Sequence, residues 1–129
     1  MIKKLTIIFY FLFFINNANA EENIMIMKLA NGDVEIELFE DIAPNHVKRM
    51  KALAKDKKYD GVVFHRVIED FMAQTGDVKF GNSNSENYNL SLAGTGGSDL
   101  PDLKAEFSNI AHERGTLSMA RSNDPNSAN

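Results

Sequence analysis

The side chains of this chain exclude several of the chemistries that enzymes commonly use. There is no cysteine, so thiolate nucleophiles, disulfides and cysteine-bound metals are ruled out. His46, His65 and His112 lie far apart and show none of the local ligand spacings of a zinc site, so no metal is expected. Ser98 has no G-x-S-x-G context, and Gly94-Thr95-Gly96-Gly97 lacks the Lys-Ser/Thr that completes a phosphate loop. Arg66 carries a permanently charged, rigidly forked donor that needs no proton relay. Phe71 and Met72 follow it with apolar surface, and Gln74 with an amide. Met72 and Gln74 are two apart, so on an extended strand they point the same way. On spacing alone Arg66 fits a surface ion pair better, and Phe71 and Met72 a core. The context has to decide. His65 alternates away from Arg66 and is expected to be packed and hydrogen-bonded.

The elements that must hold these residues are legible as hydrophobic patterns. Ile24 to Leu29 is apolar-rich, Asn31-Gly32 follows, and Val34, Ile36 and Leu38 then alternate with Glu35 and Glu37. Period-two alternation marks a half-buried strand, and Asn-Gly suits a tight turn, so an antiparallel hairpin is predicted. Pro44 fits the first position of a helix, where its missing N–H costs nothing. Val47, Met50, Leu53 and Ala54 then recur at helical spacing, with Lys48, Arg49, Lys51 and Lys55 mostly opposite. That helix is predicted to end near Lys57-Lys58, with its basic face in solvent. Val62 to Ile68 and Phe71 to Thr75 read as strands around a tight Glu69-Asp70 connection. Gly76 to Asp99, rich in glycine, asparagine and serine, reads as a long irregular loop of the kind that often carries function. Ala105-Glu106-Phe107 is a candidate short strand, and Thr116 to Ala120, set up by Gly115, a stronger one. Strands dominate, which predicts a mainly β barrel or sandwich with a covering helix.

The first twenty residues differ in kind. Met1-Ile2-Lys3-Lys4 is basic, Leu5 to Ile15 is apolar except for Thr6, and Ala18-Asn19-Ala20 precedes two glutamates. Basic, apolar and A-x-A in that order is the pattern of a secretory signal peptide, with cleavage expected after Ala20. The apolar run, about eleven residues, falls short of the roughly 20 a membrane-spanning helix needs, so no membrane span is expected after cleavage. Removing two lysines takes the formal charge from −4 to −6, and 129 less 20 leaves 109 residues, one small domain. An acidic chain without a basic stripe gives no support for nucleic-acid binding.

Three stretches together resemble one family. Phe64-His65-Arg66-Val67-Ile68-Glu69-Asp70-Phe71-Met72-Ala73-Gln74-Thr75-Gly76-Asp77 resembles the signature of cyclophilin-type peptidyl-prolyl isomerases. Gly115-Thr116-Leu117-Ser118-Met119-Ala120-Arg121 resembles their next core strand and substrate-lining loop. Pro101-Asp102-Leu103-Lys104-Ala105-Glu106-Phe107 is similar to the segment leading into that strand. The resemblance covers positions 22–129 and implies an eight-stranded antiparallel barrel capped by helices, with a proline-binding groove on its outer face. It assigns Arg66 to the prolyl nitrogen or carbonyl as amide resonance is lost, and Phe71 and Met72 to the walls around the proline ring. Gln74 would bond Arg66 or the substrate backbone, and Ala120 and Arg121 would line the groove mainly through backbone groups. Many relatives carry asparagine where this chain has Arg121. No cofactor is implied, and the expected partners are proline-containing polypeptides met by a monomer in the periplasm or outside the cell.

The family pattern also leads one to expect, after Asn126-Ser127-Ala128-Asn129, a Ser-Gln-Phe-Phe-like strand and closing elements of roughly 50 residues. The domain, residues 21–129, is accordingly expected to be partial at its C-terminus. The same residues would also serve a non-catalytic prolyl-peptide binder or chaperone-like module. An unrelated small β-domain is the third alternative.

Overall fold

The computed structural model describes residues 23–129. The signal-type segment 1–20, with its cleavage position, lies outside them. Strand β1 (Ile24–Leu29) pairs antiparallel with β2 (Gly32–Glu37), in register from Ile24 opposite Glu37 to Leu29 opposite Gly32. The Asn-Gly signal located this hairpin one residue late: Ala30 and Asn31 form the loop and Gly32 opens β2. Gly32 carries the positive φ, +132°, that a side chain would resist. The alternation along β2 runs inward to Leu38, which is buried and continues the ladder by donating its N–H to the Asn23 carbonyl at 2.7 Å.

Helix α1 (Pro44–Lys55) begins with Pro44 in its first turn, as the sequence requires. It buries Val47 and Leu53 on the predicted face. Its end comes before Lys57-Lys58, because Lys57 takes a left-handed φ of 57°. The N–H groups of Asp56, Lys57 and Lys58 then close onto the last turn's carbonyls. The basic face is not wholly solvated. Arg49 is buried, and its Nη2 donates to the Pro101 carbonyl at 2.6 Å. Tyr59 lies within range of that charge: burial pushes its phenol up, and Arg49 offsets only part of the shift.

Strands β3 (Arg66–Ile68) and β4 (Met72–Gln74) form the second antiparallel hairpin. Both are shorter than the sequence pattern suggested, since Val62 and Val63 pair elsewhere. Val62 bridges Asn82, and the Val63 N–H donates to the Gly81 carbonyl at 2.9 Å. The 76–99 segment is irregular as expected, a succession of turns.

Two sequence expectations fail here. Neither Ala105–Phe107 nor Thr116–Ala120 is a strand. Strand propensity counts only where a ladder partner exists. Among the described residues the pairing in this region is a single bridge from Leu103 to Ala128. Thr116 instead closes a turn, its N–H on the Glu113 carbonyl and its hydroxyl accepting from the Glu113 N–H. The described strands thus number four, in two separate hairpins with α1, and form no closed barrel among themselves. The buried apolar residues are Leu38, Val47, Leu53 and Ala128, so the core sits where α1 meets the end of β2 and residue 128.

Candidate functional site

The β3–β4 hairpin puts Arg66 directly opposite Gln74 and Ile68 directly opposite Met72. Residues directly opposite in an antiparallel pair share a face. Arg66, Ile68, Met72 and Gln74 therefore form one face, a charged fork beside an apolar pair and an amide. The His65 N–H donates to the Gln74 carbonyl at 3.1 Å and so extends the pairing one residue beyond Arg66. Phe71 lies at the tip of the connection, three-quarters exposed, its N–H on the Ile68 carbonyl at 3.2 Å. Asp70 takes a left-handed φ of 57° there, a conformation Asp tolerates better than most residues. Gln74 is expected to bond Arg66 or the substrate backbone. Among the described residues neither side chain makes a hydrogen bond or ion pair, so the two stand opposite each other with no bond between them.

The expected second half of the groove comprises Ala120 and Arg121. The Arg121 Nη1 donates to the Ser122 carbonyl at 2.8 Å, and its guanidinium sits 6.0 Å from the Phe107 ring centroid. Arg121 lines a cavity of about 990 Å³ between β2, the start of α1 and residues 105–121. Arg66, Phe71, Met72 and Gln74 do not line that cavity, and Ala120 is exposed beside it. The structure brings Arg66, Met72 and Gln74 together on one hairpin, while Arg121 lines the cavity beside β2 and α1.

Two carboxylates that the sequence did not single out fix the surrounding loops. Asp77, only 4% exposed, accepts four backbone N–H groups: Lys79 (3.0 Å) and Phe80 (2.9 Å) on Oδ1, Gly94 (2.7 Å) and Gly96 (2.9 Å) on Oδ2. Burial pushes its carboxyl upward, but these four bonds outweigh it and the net shift is downward. Asp77 thus ties the glycine-rich loop to the end of β4.

Glu106 does the same for α1. Ala43, at the helix N-cap, has no side chain to cap with. Glu106 instead accepts the N–H groups of Asn45 and His46, each at 3.1 Å, together with Asn45 Nδ2 (2.6 Å) and His46 Nδ1 (2.7 Å). It is a cap supplied from sixty residues away. Burial raises its carboxyl, but the His46 and Asn45 bonds dominate and hold it at about 2 against an ordinary 4.5. A depressed folded-state value makes the stabilisation complete above about pH 4.5, and it is lost as pH falls through about 2. Urea unfolding at pH 6, 4 and 3 is expected to show this loss, of order 1–3 kcal/mol after solvent screening. Glu106→Gln should be less stable at pH 6 and show a shallower pH dependence; parallel pH slopes would contradict the assignment.

The family model for cyclophilin-type peptidyl-prolyl cis-trans isomerase/CLD matches residues 24–129. The chain belongs to the cyclophilin family. It is 56% identical over 108 residues to a probable peptidyl-prolyl cis-trans isomerase of Brucella suis, covering 84% of this chain and 55% of that one. It is 38% identical over 114 residues to a peptidyl-prolyl cis-trans isomerase of Acinetobacter baylyi, covering 87% and 54%. The structure resembles the crystal structure of cyclophilin AquaCyp293 from Hirschia baltica, with a TM-score of 0.59 and 27% identity. That match covers 83% of this chain and 55% of the other. The chain therefore spans about half the length of the relatives it matches. The fold is that of the cyclophilin barrel over the part described, and the two hairpins and α1 are elements of it.

Proposed function

We propose that the full-length protein catalyses cis/trans isomerisation of X-Pro peptide bonds and assists the folding of exported proteins. One observation carries the reading: within a cyclophilin sequence, Arg66 stands on the same hairpin face as Met72, with no partner of its own among the described residues. The barrier to amide rotation is roughly 18–20 kcal/mol and arises from resonance. No bond needs to be broken, so no nucleophile or metal is required. What lowers the barrier is a donor placed where the twisting nitrogen gains a lone pair, and apolar walls that seat the proline ring. Arg66 supplies the donor. Met72, and Phe71 at the hairpin tip, supply the apolar walls, and Gln74 is placed to bond the substrate backbone.

Arg66 cannot act alone. A millionfold acceleration needs about 8 kcal/mol of transition-state stabilisation, whereas one preorganised donor supplies about 3–4 kcal/mol. The rest comes from contacts that fit the twisted amide better than the planar one. Ala120 and Arg121 belong to this reading as groove residues through their backbones. The N-terminal pattern supports a periplasmic or secreted protein whose mature chain starts at Glu21.

A protease-coupled assay on an X-Pro peptide with the full-length protein tests the proposal. Acceleration of the slow cis phase is the expected result. Peptide binding without acceleration would favour the non-catalytic prolyl-peptide module instead.

A further inference from the structure

His65 precedes Arg66 directly, and the proposed chemistry gives it no role. Among the described residues, neither of its buried ring nitrogens has a hydrogen-bond partner. The expected hydrogen bonding is met by the backbone, whose N–H donates to the Gln74 carbonyl, and not by the packed ring. What the ring touches is Gly94. A Cβ built on Gly94 would lie 2.7 Å from His65 Cδ2 and 2.8 Å from Nε2, closer than real Cβ atoms approach. Gly94 also has a φ of +96°, and its N–H is held by Asp77 at 2.7 Å.

These contacts close a circuit. Asp77 follows β4 by three residues and clamps the N–H groups of Gly94 and Gly96. Gly94 abuts the His65 ring, and the His65 backbone returns to β4 through Gln74. The Gly81 N–H donates to the Asp77 carbonyl, while the Gly81 carbonyl takes the Val63 N–H. The Thr75 hydroxyl bonds the Val63 carbonyl at 2.9 Å. The residue just before Arg66 is thus braced from behind, on the side opposite the Arg66 side chain. Arg66 has no side-chain partner among the described residues, so its direction of approach is set by the backbone beneath it.

We propose that His65 is a positioning residue for Arg66, acting by the shape of its ring against Gly94. This rests on the role given to Arg66 above. A flat ring in contact with a glycine is what the brace requires. A displacement of about 1 Å at a catalytic group costs up to about a hundredfold in rate.

Three variants of the full-length protein test it. His65→Ala is expected to lower kcat about tenfold with KM within about twofold, since a positioning defect acts on the transition state rather than on ground-state binding. His65→Phe, which keeps a flat ring and has no nitrogens, should recover most of that loss. Gly94→Ala should lower kcat at least as much as His65→Ala. Gly32→Ala is the control: it also places a Cβ at a positive φ, +132°, but meets nothing within 4 Å. It should leave kcat within about twofold of the parent. Loss of activity in His65→Phe equal to that in His65→Ala would overturn the proposal, as would a rise in KM at constant kcat. Order of the Arg66 Nε–Hε group, followed by NMR relaxation, gives a readout independent of turnover. It should fall in His65→Ala and return in His65→Phe. If the parent protein shows no isomerase activity, the proposed function fails by itself, and the Arg66 order measurement alone decides for or against the brace.

Discussion

Arg66→Ala in the full-length protein is expected to lower kcat/KM for an X-Pro peptide by about 10²–10³-fold, the effect of removing one preorganised donor. The fold should be untouched. Arg66 is exposed and makes no side-chain hydrogen bond or ion pair among the described residues, so its removal should change stability by about 0.5 kcal/mol or less. That separation of activity from stability is what distinguishes a catalytic residue from a structural one. Arg66→Lys keeps the charge but replaces a planar fork with a point charge on a flexible stem. It should recover only a small part of the loss. Steady-state kinetics alongside thermal unfolding checks both halves of the expectation.

Asp77→Asn is expected to have the opposite profile, a large loss of stability from a change of one atom. Four backbone N–H groups converge on the Asp77 carboxylate, two on each oxygen. Asparagine retains one acceptor oxygen, and its NH₂ would face two donors with nothing to accept them. Buried donors left unmatched cost about 1–3 kcal/mol each, so the variant should lose about 3 kcal/mol or more. Its thermal midpoint should drop by roughly 10 °C or more. Which oxygen survives matters little, because each serves two donors. Activity should also decline, since Gly94 would no longer be held. Urea titration of the variant beside its parent gives the number directly; a change under about 1 kcal/mol would contradict the geometry.

How far the sequence could be read depended on how local each determinant was. The β1–β2 hairpin and α1 were legible because period-two alternation, Asn31-Gly32 and Pro44 act within a few residues of where they sit. The Arg66–Gln74 face was legible for the same reason, once a tight Glu69-Asp70 connection was recognised. The one-residue shift at Gly32 was not, because the choice between hairpin registers depends on pairing energies along both strands.

Residues that act at long range were invisible. Glu106 caps α1 across sixty positions, and nothing in the residues around 106 or around 45 announces it. Arg49 looked like part of a solvated basic face until the Pro101 carbonyl was found against it. Asp77 carried a partial signal, because a short Asx-type turn to Lys79 and Phe80 is local, whereas its hold on Gly94 and Gly96 is not. The strand expected at Thr116–Ala120 failed because propensity was read without a partner. Its ladder neighbour is absent among the described residues.

The central claim is that Arg66 speeds the rotation of a bound prolyl amide rather than merely holding the peptide. Exchange NMR on an X-Pro peptide, with catalytic amounts of full-length protein, measures that rotation at equilibrium without a coupling protease. Exchange cross-peaks between the cis and trans forms should appear with the parent protein and vanish with Arg66→Ala at concentrations where peptide shifts still report binding. Cross-peaks of equal intensity with both proteins would contradict the role given to Arg66, and binding without exchange in the parent would contradict isomerisation itself.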